Sequence, residues 1–458
     1  MKTQPSKPRA HAAALLWAAI LGALSALACV AARLTFRLLQ WLFTGQSGML
    51  PHAAATLPPL RRVLVPVVGA LCAWTILRAR QRSSPTPYVD YGKAVRASDG
   101  VIPFPSTLWR TAASAFSIAT GAAIGREGSM IQFASATTSL AGSWAGRYLT
   151  KRALTRPRTA VLLRDFPLPT QVACGVAAAV SAAYQAPVAG VFFASEIVLA
   201  RATLPEYSLL LTASVAGWLL SRPLLGPSPI FAAPAALPPL QAGWLWLLPL
   251  ALFLSLLSPA YQWLIRCARG ARSLPLALVW GGAAVGLLSL VRTEVWGNGD
   301  QALRDLLHTD ALPAASALGT LLVLRLLATT LCVGVGTIGG VFTPTLFVGA
   351  ALGLLAAHLV HAPSPLLFAF TGLGALLAAV TRAPLMATFM AVELTGRWEL
   401  LPIALLSNLA ASQLASRLTP HSLYAIATTE PGDHHRTPIQ TPAQSMPLPE
   451  KPHSRRRR

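Results

Sequence analysis

Of the 15 acidic residues in this 458-residue chain, Glu127, Glu196 and Glu393 stand clearly inside its apolar body. An ionised carboxylate at the centre of a membrane helix costs about 2.5–3.5 kcal/mol on insertion scales, so each needs a partner or a task. Glu127 has the better case for a task. It lies in Gly125-Arg126-Glu127-Gly128-Ser129, where two glycines permit close backbone approach and the Met-Ile-Gln-Phe-Ala run beyond can begin a helix. A helix N-terminus offers unpaired N–H groups and the positive end of a dipole, which together hold an anionic group. A plain tie between Glu127 and its neighbour Arg126 is the competing reading, but adjacent residues on a helix point their side chains apart.

Glu196 and Glu393 belong to a repeat. Gln185-Ala186-Pro187-Val188-Ala189-Gly190 through Glu196 resembles Arg382-Ala383-Pro384-Leu385-Met386-Ala387 through Glu393, and in both the Glu follows the Ala by ten residues. Equivalent places predict equivalent duties, here structural ones in which both carboxylates tie helices together through hydrogen bonds. A second pair keeps the same order: Ile124-Gly125 with Ser129, Phe133 and Ala136 lines up with Ile338-Gly339 with Thr343, Phe347 and Ala350. The chain therefore reads as two related halves, joined by the Pro-rich stretch Pro223 to Pro239. The repeat alone leaves parallel and inverted arrangements open. Transporters built from inverted repeats place ion sites near the bilayer midplane, where half-helices aim their N-terminal dipoles at anions.

The elements that must position these residues are apolar. The chain is 54% hydrophobic and 11% charged, with a mean hydropathy of +0.55, against roughly 25% charged residues in soluble domains. Apolar runs at Ala12 to Ala32, Val63 to Ile76, Trp244 to Ile265, Leu274 to Leu290 and Ala315 to Val335 approach the roughly 20 residues that span hydrocarbon. Segments around Gly121 to Met130, Ala186 to Glu196, Gly334 to Pro344 and Ala383 to Gly396 are interrupted by Gly and Pro. Helices broken at membrane depth survive only against protein or a wet cavity, so these breaks mark a permeation site. Residues 1 to 32 have the basic start of a signal peptide, but the apolar stretch is too long and further spans follow; they read as the first membrane helix.

The net charge of +22 gathers at segment ends and tails, as in Lys2, Lys7, Arg9 and Arg455 to Arg458. That pattern fits positive-inside topology with both termini cytoplasmic, and not nucleic-acid binding, which would interleave basic and aromatic residues. Cys29, Cys72, Cys174, Cys267 and Cys332 lack metal-ligand spacing and read as small buried hydrophobes. His434-His435 lie in a polar tail, so no metal site is assigned. No Gly-x-Ser-x-Gly elbow supports an intramembrane hydrolase, and no cofactor is expected.

In combination the motifs resemble those of the ClC chloride channel and transporter family, over about residues 12 to 428. Gly125-Arg126-Glu127-Gly128 before a small residue resembles its gating-glutamate motif. Gly339-Gly340-Val341-Phe342-Thr343-Pro344 resembles its GxFxP motif, and Ser422-Leu423-Tyr424 its last motif. The resemblance implies an all-α polytopic membrane protein of two inverted repeats, with broken half-helices meeting near the midplane. It implies a cytoplasmic tail over 1–11, membrane repeats over 12–225 and 240–430, a Pro-rich connector over 226–239, and a basic cytoplasmic tail over 431–458 with no regulatory domain. It also implies an anion site built from Gly125, Arg126, Gly128, Gly340, Val341 and Phe342, closed on the inner side by the Tyr424 hydroxyl. Glu127 would occupy that site when ionised and vacate it when protonated.

Two departures refine the expectation. The family's GSGIP motif is not intact: counting back from Gly125 reaches Ser83-Ser84-Pro85-Thr86-Pro87-Tyr88, where Ser84 or Thr86 would supply the hydroxyl. Many family exchangers carry a second acid after Glu196 as an inner proton station, whereas here it is Ile197, which cannot relay a proton. With these departures, the resemblance implies a voltage-gated ClC-type chloride channel of the inner membrane, homodimeric, gated by Glu127, with uncoupled or weakly proton-coupled flux. A chloride/proton antiporter is the alternative; a fluoride exporter or an enzyme fits the motifs less well. Its partners are chloride or a similar small anion, the lipid bilayer and a second copy, with no nucleic acid.

Overall fold

The computed structural model describes residues 7–83, 87–153, 166–226, 231, 245–308 and 313–423. Ser84, Thr86 and Tyr424 lie outside the described residues, as do most of the expected connector and the C-terminal tail. The regular elements among the described residues are helices: α1 (Lys7–Thr44), α2 (Leu50–Thr56), α3 (Pro59–Ser83), α4 (Tyr91–Ala97), α5 (Phe104–Ala119), α6 (Glu127–Ala153), α7 (Leu168–Tyr184), α8 (Pro187–Phe192, running on through a wider turn to Val198) and α9 (Leu204–Leu225). The second half supplies α10 (Leu247–Cys267), α11 (Ala277–Val291), α12 (Asp300–His308), α13 (Ala315–Gly334), α14 (Phe342–Leu359), α15 (Pro365–Thr381), α16 (Pro384–Thr395) and α17 (Leu401–Leu418).

Helices α1, α3, α9, α10, α13 and α14 are long and apolar enough to cross a membrane, while α7, α8, α11, α15 and α16 are apolar but shorter. With 38 residues, α1 is about 57 Å long at 1.5 Å per residue, well beyond the roughly 30 Å hydrocarbon thickness. Two of the short helices, α7 and α15, are buried at nearly every position, which is what non-spanning backbone at membrane depth requires. Outward, the fold leaves large apolar side chains such as Leu16, Trp41, Trp144 and Trp280 exposed, a surface suited to hydrocarbon. Cys29, Cys174 and Cys332 are buried as expected, but Cys267 is exposed and Cys72 half-buried, because their helices turn those positions outward.

The halves stop and restart their helices by one device. Gln185 after α7 and Arg382 after α15 are left-handed, at φ 54° and 63°. The next residues, Ala186 (φ −128°, ψ 79°) and Ala383 (φ −125°, ψ 75°), are held out of the helical region by the prolines that follow and open α8 and α16. The other break is duplicated as well: after α5, Ala122 N–H donates to Ser117 O, and after α13, Thr337 N–H donates to Cys332 O. Both turns pass through a glycine with positive φ, Gly121 and Gly336. These matches set Gly125 opposite Gly340 and Glu127 opposite Phe342, one residue away from the register read from Ile124-Gly125 and Ile338-Gly339. Side-chain similarity misled there; the hydrogen bonds fix the correspondence.

The repeats are inverted with respect to each other. Gly125 and Gly340 form an isolated antiparallel bridge, with Gly125 N–H donating to Gly340 O at 2.7 Å and Gly340 N–H to Gly125 O at 2.8 Å. Phe192 of α8 and Phe389 of α16 stack at 5.0 Å between centroids. Glu393 at the end of α16 accepts from Val188 and Ala189 N–H at 3.0 and 2.7 Å, and Glu196 past α8 accepts from Leu385 and Met386 N–H at 3.2 and 2.8 Å. Each carboxylate caps the other half's broken helix, the structural duty predicted from their equivalent places.

Candidate functional site

The Gly125–Gly340 bridge lays the first turns of α6 and α14 side by side. There is no room for side chains at the join: a Cβ on Gly128 would meet Gly340 N at 3.0 Å, and one on Gly339 would meet Gly125 O at 2.8 Å. Within α6 and α14 the ladders begin with Met130 N–H to Arg126 O and Thr345 N–H to Val341 O. The amides of Gly128 and Phe342 therefore sit among the first-turn donors that have no acceptor inside their own helix. Gly125 and Gly340, expected among the anion-binding residues, spend their amides on each other. They act as a strut, leaving Gly128, Val341 and Phe342 to present neutral donors.

Glu127 is buried, 7% exposed, at the start of α6. Its Oε1 accepts from Asn298 Nδ2 at 2.9 Å and its Oε2 from Thr343 Oγ1 at 3.4 Å. Thr343 in turn lies 3.3 Å from the Tyr184 hydroxyl, and the Tyr184 ring packs on Phe342 at 5.1 Å between centroids. Arg126 does not point away from Glu127: its Nε is 3.7 Å from Glu127 Oε1, and its Nη2 is 3.3 Å from Asp300 Oδ2. The divergence of neighbours on a helix fails because Arg126 precedes the first helical residue. The same guanidinium is thereby tied to carboxylates and is not free to trap an anion.

Two cavities meet at this place. One, of about 1190 Å³, is lined by Gly128, Ser129, Val341 and Phe342 and by five cations, Arg78, Lys93, Arg110, Arg269 and Arg272. The other, of about 200 Å³, is lined by Arg33, Arg126, Arg304, Asn298, Asp300 and Thr343. Glu127 and Tyr184 line both, so the carboxylate stands at the divide between two basic vestibules. A cleft biased to one sign of charge concentrates ions of the other.

Ile197 is buried in the wider turn that ends α8, and its carbonyl accepts from Arg96 Nη1 at 2.6 Å. Sequence reasoning missed Asn298, Asp300, Thr343 and Tyr184 as site residues. Gly297-Asn298-Gly299-Asp300 carried one signal, a polar Gly-rich turn that leads into a helix within an apolar half.

The fold and site define a polytopic membrane protein of two inverted halves whose broken helices present backbone donors and one buried carboxylate between two vestibules. A family model described as voltage gated chloride channel matches residues 68–416. A "putative chloride channel protein ClcB-like" of Ralstonia nicotianae is 38% identical over 424 residues, 90% of this chain and 95% of that protein. A "voltage-gated ClC-type chloride channel ClcB" of Citrobacter koseri is 33% identical over 432 residues, 91% of this chain and 99% of that one. Among solved structures, a slow cyanobacterial Cl⁻/H⁺ antiporter superposes with a TM-score of 0.75 at 22% identity, over 91% of this chain and 97% of that one. A CLC-type fluoride/proton antiporter does so with a TM-score of 0.71 at 20% identity, over 92% and 98%. The chain belongs to the voltage gated chloride channel family, as its motifs implied.

Proposed function

We propose that the protein is a voltage-gated ClC-type chloride channel of the inner membrane, with both termini cytoplasmic, working as a homodimer with one pore in each subunit. The observation that carries this reading is the Glu127 carboxylate, which lines both vestibules beside the unpaired first-turn amides of α6 and α14. Neutral N–H and O–H donors replace the water of a weakly hydrated halide without a cation that would trap it, and conduction needs binding that is favourable but weak. Val341, Phe342 and Gly128 amides serve the anion, Tyr424 closes the inner side, and Ser84 or Thr86 supplies the remaining hydroxyl. Glu127 blocks the path when ionised and leaves it when protonated.

Flux is uncoupled or only weakly coupled to protons. Ile197 offers no titratable group, and both oxygens of the adjacent Glu196 are engaged by the amides of α16. The test is reconstitution in liposomes under combined chloride and pH gradients, reading the reversal potential for the native protein and for Glu127→Ala. A potential that follows chloride alone supports the channel. One that moves with the pH gradient makes the protein a chloride/proton antiporter, and fluoride flux exceeding chloride flux makes it a fluoride exporter.

A further inference from the structure

Arg325 sits in the middle of α13 with leucines on both sides in the sequence, 2% exposed. Among the described residues no carboxylate lies within ion-pair distance of it. A buried guanidinium in an apolar helix requires hydrogen-bond partners or a function. Its partners are two backbone carbonyls of one loop: Nη1 donates to Glu294 O and Nη2 to Gly297 O, the latter at 3.1 Å. The plane of the group rests against Gly299, where a Cβ would come within 2.7 Å of Nη2, and its other side faces the Phe347 ring at 5.2 Å. The loop so held, Glu294 to Gly299, delivers Asn298 to Glu127 Oε1 and leads directly into Asp300, the partner of Arg126.

We propose that Arg325 is a positioning residue for the gate: its fork on the Glu294 and Gly297 carbonyls fixes the loop so that Asn298 holds the Glu127 carboxylate in the blocking position. Loss of the fork lets Asn298 drift, and the carboxylate leaves the path more readily. Lysine cannot substitute, because a single ammonium lacks the rigid planar fork that grips two carbonyls at once. The inference rests on the gating role proposed for Glu127. The charged and titratable groups that face this carboxylate are Arg126 beside it, Cys29 and Arg33 from α1, Asp300 and Arg304 from α12 and Tyr184 from α7.

The test is chloride efflux from liposomes between pH 4.5 and 7.5 for Arg325→Met, Arg325→Lys, Asn298→Ala and the double variant Arg325→Met with Asn298→Ala, each also in a Glu127→Gln background. Arg325→Met and Arg325→Lys are both expected to raise efflux at pH 7.5 by on the order of tenfold, the scale of one hydrogen bond to a charged group, and to flatten the pH profile. Asn298→Ala, a change outside α13, should do the same, the double variant should add nothing to it, and none should matter in the Glu127→Gln background. The proposal is overturned if Arg325→Lys restores native behaviour, which would make the charge sufficient. It is also overturned if Arg325→Met adds its full effect to Asn298→Ala, or if Asn298→Ala leaves the profile native. If Glu127→Gln alone leaves efflux and its pH profile native, the gating reading itself fails, which is a separate result.

Discussion

Glu393→Ala removes an acceptor from two backbone amides at once. The carboxylate is 7% exposed and takes Val188 and Ala189 N–H at 3.0 and 2.7 Å. Hydrogen bonds to a charged group contribute about 1.5–3 kcal/mol each, and a buried donor left unpaired carries a similar penalty, so the expected loss for the two is about 3–6 kcal/mol. Glu196 makes the same pair of bonds at 3.2 and 2.8 Å but is only half-buried. Water then replaces part of what the carboxylate supplied, and Glu196→Ala should lose about 2–3 kcal/mol. Glu393→Gln should lose roughly half as much as Glu393→Ala, because its amide keeps one oxygen while turning an NH₂ toward the second donor. Equilibrium unfolding in mixed micelles, followed by tryptophan fluorescence, reads all three. The reasoning is refuted if Glu393→Gln matches the native protein, since a charge-assisted cap would then be unnecessary, or if Glu196→Ala is the more damaging change.

Thr343→Val removes the hydroxyl between Tyr184 and Glu127, and since its contact is 3.4 Å against 2.9 Å for Asn298, its efflux at neutral pH should rise less than that of Asn298→Ala. Gly353→Ala places a Cβ 2.1 Å from Phe368 O where α14 and α15 cross; overpacking of this kind costs about 1–3 kcal/mol, visible as a lower unfolding midpoint and a smaller monodisperse fraction on gel filtration.

Much of the frame could be read from residue types and spacing. The two Ala-Pro segments with a Glu ten residues on announced both the duplication and the capping, because a turn that stops one helix and starts another needs particular residues at particular steps. The strut of Gly125 and Gly340 was visible only in part: glycine signals close approach, yet which amides face the cavity and which face each other depends on pairing across the chain. Asn298 lies 171 residues from Glu127, and nothing local in Gly297-Asn298-Gly299 shows what it touches. The error over Arg126 came from applying helix geometry one residue too early. Arg325 was within reach: the cost that singled out the three glutamates applies equally to a lone arginine in the apolar run from Ala315 to Val335, and only the restriction to acids hid it.

The bridge between Gly125 and Gly340 also sets a schedule for biogenesis. A ribosome adding about 5–20 residues per second needs on the order of 10–40 s after Gly125 emerges before Gly340 exists to pair with it. For most of that interval the Glu127 segment is in or near the membrane with neither Asn298 nor Thr343 made, and the Pro187 helix waits for Glu393. Insertion of the first half therefore precedes its folding, and the half-made chain must be kept from neighbours by the insertion machinery until its counterpart arrives.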